Sequence, residues 1–435
     1  MNNEECRCKF NKEREDILGR YRATVEDSLT SANFLHSTDM TVLQAFTIYI
    51  VCGRFDKQGP NINSLVPIAV DIAQKNGLTR LDSDSIISPF ENEMRRRIWW
   101  QLFTLDIRNA EDHDLEPCIT EPSATQKLPR SINDINIHPG MSEIPPSSSE
   151  RTELLFTLDR HEISTLARRI LFSEKFCQEN SYPISSVSEK CNEIDRFQAR
   201  IEHQILSLCN TDIPVDFITV TSSRLVLAKL KLSVIKPKTR QNQHILIGED
   251  FRYTCVEILK SARALRLYEE GKQYLWLFQT YLEWDALAYL IINLSLVPSS
   301  HTTSSAWEAA EDIYEYWKSR SEVLFDGRWK QIESLRSQAL LARRVYQDNP
   351  ASMGLWLVDS GDQADSGSAN AVEFQGTSPE PFIGAYSNTL EPNSDVDSDI
   401  PVPTTGTAYQ WSAALFERYF QVLDSEHITE VVSWL

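Results

Sequence analysis

The chain of 435 residues is 41% hydrophobic and 10% aromatic, which is enough apolar material for one large or two medium-sized domains. Its formal net charge of −19 excludes a general electrostatic attraction to nucleic acid or anionic membranes, so any DNA contact needs a dedicated basic module. No apolar signal-peptide core follows Met1, and the most apolar stretch, residues 276–297, contains Glu283, Asp285 and Asn293. We therefore expect a soluble intracellular protein without a membrane span.

Residues 1–36 form an N-terminal segment of mixed charge with a weak helical pattern. Cys6 and Cys8 lie close together in this segment, as they would in one half of a metal site. No further cysteine or histidine follows at ligand spacing, so two ordinary thiols are the favoured interpretation. The eight cysteines of the chain are scattered, which is typical of reduced thiols in an intracellular protein.

Two helices are predicted next, over residues 40–52 and 62–76. In the second helix apolar residues recur on one face, and Gly77 supplies a stop signal. A third helix is predicted from Ser88 to about residue 111. Ser88 is a good N-cap, Pro89 suits the first helical position, and Glu91 completes a capping box.

Apolar side chains cover nearly the whole circumference of this third helix, which is typical of a buried helix. Arg95, Arg96 and Asp106 nevertheless fall within the apolar arc, and a buried charge without a partner costs several kcal/mol. Since Arg95 and Asp106 are too far apart along the axis to pair, we expect their partners on other helices. The arginine triplet spans about 200° of the circumference, so it favours structural ion pairs over contact with a DNA backbone. The helix is predicted to be the hub of a large helical core.

A Pro- and Ser-rich connection over residues 112–149 leads to a second set of helices. These are predicted over residues 154–170, 187–208, 217–235, 250–270, 274–296, 305–325 and 329–347. Capping boxes are predicted at Ser186 with Glu189 and at Ser305 with Glu308. No strand pattern of useful length and no internal repeat is present, so the sequence predicts an all-α fold of about ten helices.

Apolar residues in the helix over residues 187–208 recur at alternating spacings of four and three. A partner helix in a coiled-coil dimer is one explanation of this pattern. Because the pattern extends over only about three heptads, packing within the chain is the favoured explanation.

The composition changes near Asp348. From residue 345 to residue 417 there is no Lys or Arg, and acidic residues alternate with Ser, Gly and Pro, which predicts a disordered acidic linker over residues 348–408. The tail over residues 409–435 is rich in aromatic and aliphatic residues and is predicted to form an amphipathic helix. An acidic linker beside such a helix is typical of an activation segment that folds on coactivators. A terminal helix that docks on the core is the alternative.

Signatures of catalysis and metal binding are not found. The sequence contains no H-E-x-x-H, G-x-S-x-G, G-x-G-x-x-G or Walker-type motif. The eight histidines are dispersed, and His161 and His203 are interpreted as surface or satisfied side chains. The acidic residues at 111–116 favour a solvated loop over a cation site, and the basic residues at 236–240 favour a solvated turn over a nuclear localisation element.

Three motifs surround the helix that starts at Ser88. They are A-x-x-x-G-L at residues 73–78, S-P-F-x-x-E-M-R-R-R-x-W-W at residues 88–100, and L-D at residues 105–106; a segment L-P-x-x-x-N-D follows at residues 128–134. Together they resemble the middle, regulatory domain of fungal binuclear zinc-cluster transcription factors, over about residues 40–140. The structural signature consists of Ser88, Glu91, Arg95, Arg96, Arg97, Trp99, Trp100 and Asp106.

The resemblance implies a nuclear, fungal-type transcriptional regulator of metabolic or secondary-metabolite genes that is not an enzyme. It assigns residues 37–347 to the helical regulatory domain. Two features depart from the family: residues 115–117 read Leu-Glu-Pro where the family usually has Gly-Arg-Pro, and only Cys6 and Cys8 precede Cys52, whereas the zinc cluster needs six cysteines. We therefore expect no zinc or other cofactor in this chain and no DNA contact through the usual zinc-cluster reader.

Coactivators or corepressors and a homodimeric or heterodimeric partner are the macromolecules that the resemblance implies. One alternative function is a helical interaction protein that dimerises with full-length relatives through residues 187–208 and acts as a corepressor or decoy. A second alternative is an all-α enzyme of unknown reaction, which requires a pocket with convergent titratable groups.

Overall fold

The computed structural model describes residues 3–54, 62–80, 87–120, 127–236, 248–278, 283–297, 301–320 and 327–348. Regular structure within these ranges is entirely helical and includes no strand, which confirms the predicted all-α class. The acidic linker, apart from its first residue, and the aromatic tail lie outside the described residues.

Thirteen α-helices occur in the described ranges. The first seven are α1 (Asn3–Phe10), α2 (Arg14–Ser31), α3 (Met40–Gly53), α4 (Ile62–Lys75), α5 (Pro89–Asp112), α6 (Leu155–Ile170) and α7 (Glu174–Glu179). The remaining six are α8 (Val187–Gln204), α9 (Pro214–Ile235), α10 (Glu249–Leu267), α11 (Trp284–Leu296), α12 (His301–Lys318) and α13 (Gly327–Asp348). A 3₁₀ segment, Glu269–Phe278, follows α10.

Most predicted helices agree with the structure to within a few residues. Three predictions differ from it, in residues 1–36, in residues 274–296 and at Ser305. The weak pattern of residues 1–36 forms α1 and α2, which carry few buried residues and so have little hydrophobic periodicity. The helix predicted over residues 274–296 is replaced by the 3₁₀ segment and α11, since an apolar run does not distinguish the two helix types. Helix α12 begins at His301, so Ser305 lies inside it and the predicted cap there is wrong.

The helices pack in a continuous series. Helix α5 contacts α3, α4 and α6, α6 contacts α9, and α9 contacts α8 and α10. Helices α11 and α12 pack on α10, and α13 packs on α11. The pair α9 and α10 therefore joins the two ends of the fold, while the predicted hub, α5, connects α3, α4 and α6 at one end. Helix α5 is deeply buried, since Trp99, Leu102 and Ile107 are at most 1% exposed.

Helix α11 is apolar and buried along nearly its whole length. Leu287, Ala288 and Leu290 have no exposed surface, and the helix is only 13 residues long. Among the described helices there is none with the combination of length and apolarity that crossing a bilayer requires. The all-round hydrophobicity of α11 thus reflects burial between α10, α12 and α13.

Candidate functional site: the signature helix and its buried polar contacts

Helix α5 carries the predicted signature residues, and we call it the signature helix. At its N-terminus the Ser88 hydroxyl accepts the backbone N–H of Glu91 at 3.2 Å, as predicted for the N-cap. The Glu91 carboxylate accepts two hydrogen bonds from Arg95, at 2.8 and 3.0 Å. Arg95 also donates to the carbonyl of Asn76, just after α4, at 3.2 Å. The Ser88 half of the predicted capping box is therefore present, while the Glu91 side chain orients Arg95 towards α4.

Glu93 is a buried carboxylate that the sequence analysis missed. It lies 3.4 Å from guanidinium nitrogens of both Arg96 and Arg97. It also accepts the backbone N–H of Arg130, in the segment after α5, at 3.1 Å. Burial raises its pKa, while the backbone hydrogen bond and the two arginines act in the opposite direction. The spacing of three and four residues from Glu93 to the arginines is the signal that would have identified this group.

The L-P-x-x-x-N-D segment lies along the signature helix and is fixed to it by polar contacts. Trp100 Nε1 donates to the carbonyl of Lys127 at 2.8 Å, and Arg97 pairs with Asp134 at 2.7 Å. Together with the backbone contact just described, these bonds hold residues 127–134 against α5. Among the triplet arginines, Arg97 thus contacts this segment directly, and Arg96 is linked to it through Glu93.

Asp106 is 2% exposed and binds the loop that follows α5. Its carboxylate accepts the backbone N–H groups of Cys118 at 3.0 Å and Ile119 at 2.9 Å, and the Cys118 thiol lies 3.0 Å from the same oxygen as its N–H. Burial raises the pKa of Asp106, and these hydrogen bonds oppose the rise. Burial and the Asp106 charge raise the pKa of the Cys118 thiol, which keeps it protonated and disfavours a role as nucleophile.

Arg168, on α6, continues the same network. Its guanidinium donates to the carbonyl of Ile119 and, at 3.0 Å, to the side-chain oxygen of Asn180. The guanidinium carbon also lies 4.7 Å from the centre of the Phe176 ring. Asp106 and Arg168 therefore hold opposite sides of the same peptide segment, one through N–H groups and the other through a carbonyl. This network joins α5, the loop after it, α6 and α7.

A second buried polar group connects α5 with α6. His161 Nδ1 lies 3.0 Å from Thr104 Oγ1, and the Ser164 hydroxyl lies 3.3 Å from the same oxygen. Burial lowers the pKa of His161 to about 3, so the imidazole is neutral, and its Nε2 has no hydrogen-bond partner. Thr104 and His161 have the spacing of a nucleophile and a base, but both are buried, so the arrangement gives a substrate no access.

Two carboxylates on α5 and α6 are buried near α9. Asp159 accepts a hydrogen bond from the Ser223 hydroxyl at 2.9 Å, and burial raises its pKa to about 7. Burial raises the pKa of Glu111 to about 8, although the charges of Arg108 and Lys229 favour its ionised form. Both carboxyl groups therefore titrate near neutral pH.

The acidic residues at 111–116 do not form a common site. Glu111 is buried, Asp112 forms an ion pair with Arg54, and Glu116 accepts the backbone N–H of Ser173 at 3.3 Å. The acidic residues at 111–116 were expected to form a solvated loop. This expectation is wrong for Glu111 and Asp112, which belong to the end of α5. No group of three or more His, Cys, Asp or Glu residues suited to a metal ion occurs in the part of the chain that the structure describes.

The predicted origin of the partners of the buried charges is also wrong. Arg95 and Arg96 pair with carboxylates of their own helix, and Asp106 is bound by backbone groups of the following loop. Positions three and four apart on a helix are close enough to pair. Backbone N–H groups can satisfy a carboxylate as well as an arginine does. Local contacts thus replace the interhelical ion pairs that the sequence suggested.

Comparison with known proteins places this architecture in a family. The family model described as the fungal specific transcription factor domain matches residues 4–229, which is more than half of the chain. The chain belongs to this family. The match includes the whole signature helix and the contacts that it makes with α4 and α6.

Three relatives illustrate the similarity of this chain to known proteins. The aurofusarin cluster transcription factor aurR2 of Gibberella zeae is 30% identical over 327 residues, which cover 72% of this chain and 47% of the relative. The transcriptional regulator AacuB of Aspergillus aculeatus is 26% identical, over 72% of this chain and 43% of the relative. The pyriculol/pyriculariol biosynthesis cluster transcription factor 1 of Pyricularia oryzae is 25% identical, over 73% of this chain and 44% of the relative. The chain thus spans about half the length of these relatives, and no solved structure matches it.

Other relatives are named C6 finger domain transcription factors. Cys6 is buried and Cys8 is exposed on the short helix α1, where a spacing of two residues turns them to different sides. The described residues offer them no further ligands for a metal cluster. Within the described ranges, Cys6 and Cys8 therefore do not fit a zinc cluster.

Proposed function

We propose that this protein is a nuclear transcriptional regulator that controls genes of a secondary-metabolite biosynthetic cluster. The observation that supports this proposal most is the family match over residues 4–229, combined with relatives whose names refer to biosynthetic clusters. The interior contacts of the signature helix are structural ion pairs and hydrogen bonds, which suits a regulatory scaffold that works without catalysis.

The helical domain and the acidic, aromatic C-terminal region have different roles in this proposal. The helical domain is the regulatory body, and residues 348–435 are the segment that recruits coactivators. Support for the second role comes from composition: acidic residues without Lys or Arg precede a tail that contains Trp411, Phe416 and Phe420. Such a segment binds by folding an amphipathic helix into an apolar groove of its partner.

A reporter assay tests the recruiting role. The full chain is fused to a foreign DNA-binding module in a fungal host, and transcription from its target promoter is measured. We expect activation, and a variant in which Trp411, Phe416 and Phe420 are replaced by alanine loses most of it. A matched variant with Ser412→Ala, Ser425→Ala and Ser433→Ala retains activity. A silent fusion, or equal activity of the two triple variants, would contradict the activation role.

Control of a biosynthetic cluster is tested in the organism that carries the gene. Deletion of the gene is expected to lower transcripts of one physically linked set of biosynthetic genes, and chromatin immunoprecipitation of the tagged protein is expected to enrich their promoters. A transcriptome without any change in linked biosynthetic genes would contradict this proposal while leaving the activation assay unaffected.

A second candidate function is action as a helical partner of another regulator that carries the DNA reader. The observation behind it is the alternating spacing of apolar residues along α8, which is similar to a coiled-coil seam. Helix α8 is a poor contact surface for such a partner, because Ile194 and Ile201 of its apolar seam are completely buried in this fold. Co-precipitation of the full chain with tagged zinc-cluster regulators from the same organism tests this function.

A further inference from the structure

A groove of about 560 Å³ lies between the start of α9 and the 3₁₀ segment after α10. It is distinct from the polar network of the signature helix, and residues 211–224 and 268–270 contribute its walls. Its size is within the range of small-molecule sites in proteins. The side chains around it combine aromatic surface with negative charge.

Two aromatic rings form the apolar wall of the groove. Phe217 and Tyr268 are stacked, with ring centroids 4.0 Å apart and an interplanar angle of 26°. Gly271 is closely packed beside this stack, because a Cβ there would lie 2.6 Å from a ring carbon of Tyr268 and 3.1 Å from Ile218. Glycine therefore allows the Tyr268 ring to sit against the backbone. The aromatic wall is held in place before any ligand arrives.

The polar groups of the groove give it a negative potential. The Tyr268 hydroxyl donates to the carboxylate of Glu270 at 3.3 Å. Glu270 and Asp212 both line the groove together with Tyr268. Burial of the ring raises the pKa of Tyr268, and the charges of these two carboxylates add to the rise. Glu270 and Asp212 are themselves exposed to solvent. They are therefore free to receive a cation without first leaving a buried ion pair.

One arginine also lines the groove, and its charge is already compensated. Arg224 forms two hydrogen bonds with the carboxylate of Glu202, at 2.7 and 3.0 Å. Glu257 adds a further negative charge close to it. The guanidinium is consequently directed to Glu202 and leaves the negative charge of the groove largely uncancelled.

We propose that this groove binds an organic cation, with its ammonium group at Asp212 and Glu270 and its apolar body against Phe217 and Tyr268. The carboxylates recognise the charge of such a ligand, and the stacked rings recognise its apolar body, so the two walls select for an organic cation. A bare metal ion fits less well, since no third His, Cys, Asp or Glu ligand accompanies the two carboxylates among the described residues. An anion is repelled by the two carboxylates. This ligand site does not depend on the proposed function in transcription.

Binding of three small probes to the purified full chain tests the proposal. Benzylamine, benzyl alcohol and benzoate share one ring and differ in charge, and saturation-transfer NMR detects the weak binding expected of such small molecules. We expect benzylamine to bind about tenfold more tightly than benzyl alcohol, and benzoate to bind least. Failure of benzylamine to bind, or equal binding of benzoate, would overturn the proposal. Equal binding of benzyl alcohol would overturn it too, because the site would then recognise only the ring.

Variants locate the binding in this groove. The double variant Asp212→Asn with Glu270→Gln removes two exposed charges at constant size, and it is expected to weaken benzylamine binding about tenfold while leaving benzyl alcohol unchanged. Glu143→Gln, an exposed carboxylate outside the groove, is the control and should bind benzylamine as the parent chain does. Thermal unfolding of each variant verifies that it is folded. Unchanged benzylamine affinity in the folded double variant would refute the assignment.

Discussion

Asp106 accepts the backbone N–H of Ile119 at 2.9 Å, and this bond fixes the loop after the signature helix from inside the core. Removal of the carboxylate in Asp106→Ala leaves buried N–H groups without an acceptor. We expect a loss of about 3–5 kcal/mol in the free energy of unfolding, measured by urea denaturation. Asp106→Asn should lower the free energy of unfolding less than Asp106→Ala does, because the asparagine amide keeps one acceptor oxygen. Asp27→Ala, on the exposed side of α2, is the control, and an equal loss there would contradict the role of Asp106.

Adjacent arginines on α6 provide a second test. Arg168 is buried and holds Ile119 and Asn180, whereas Arg169 is about half exposed and lies 3.6 Å from Glu193. Lysine lacks the planar fork that binds two partners at once, so Arg168→Lys is expected to lower the free energy of unfolding by about 2–4 kcal/mol. Arg169→Lys should change it by less than about 1 kcal/mol, as exposed ion pairs do. Similar unfolding midpoints for the two variants would show that Arg168 does not hold the network together.

Stability should depend on pH through Glu111. Its pKa is raised from 4.5 to about 8 in the folded protein, so the folded state binds a proton that the unfolded state has released between these values. Its contribution to stability is complete below about pH 4.5 and is lost as the pH rises to about 8. Glu111→Gln cannot titrate, so it should remove this pH-dependent loss of stability. Its free energy of unfolding relative to that of the parent chain is therefore expected to be higher at pH 8 than at pH 5. If the free energies of unfolding of the parent chain and of Glu111→Gln change in parallel between pH 5 and pH 8, the raised pKa of Glu111 is contradicted.

The contact between Glu93 and the backbone of Arg130 predicts a local effect. Glu93→Ala removes the acceptor of that N–H and the shared partner of Arg96 and Arg97. Hydrogen–deuterium exchange of peptides that cover residues 127–134 is expected to become at least about tenfold faster, with little change in the rest of the core. Glu91→Ala is the matched control, since the Glu91 side chain is about half exposed and pairs with Arg95 instead of with residues 127–134. Unchanged exchange in Glu93→Ala would mean that the segment is held by other contacts.

The seam of α8 distinguishes packing within the chain from dimerisation. Ile194 is fully buried against its own fold, whereas Val187 is 52% exposed. Ile194→Ala is expected to lower the free energy of unfolding by about 2–4 kcal/mol, independently of protein concentration. Val187→Ala should lower the free energy of unfolding by less than about 0.5 kcal/mol, because this side chain is largely outside the core. A concentration-dependent effect of Ile194→Ala would instead indicate that the seam lies between two chains.

Local rules of the sequence were sufficient for the helices near the site. The N-cap of α5 at Ser88 and the capping box of α8 at Ser186 and Glu189 are present as predicted. They depend only on residues within one helical turn, so the pattern alone identifies them. The cap predicted at Ser305 is absent, because α12 already begins at His301 and Ser305 lies within the helix.

The polar interior could not be predicted to the same degree. Burial of Asp106 followed from its place in the apolar arc, but its partners, Cys118 and Ile119, belong to a loop without any periodic pattern. His161 gave no sign in the sequence that it would be buried with one nitrogen unpaired. Such contacts depend on how helices and loops pack, which a period of 3.6 residues does not specify.

The sequence by itself determined the helical class, the burial of the signature helix and its family, because hydrophobic periodicity, caps and motifs are local properties. Only the tertiary structure decided which groups that are distant in the sequence come into contact. It joined Asp106 and Arg168 through one peptide segment, and it stacked Phe217 on Tyr268, which lie far apart in the chain. The physical reason is that burial of a helix follows from the spacing of its apolar residues, whereas pairing of distant groups depends on distances that exist only after the helices have packed.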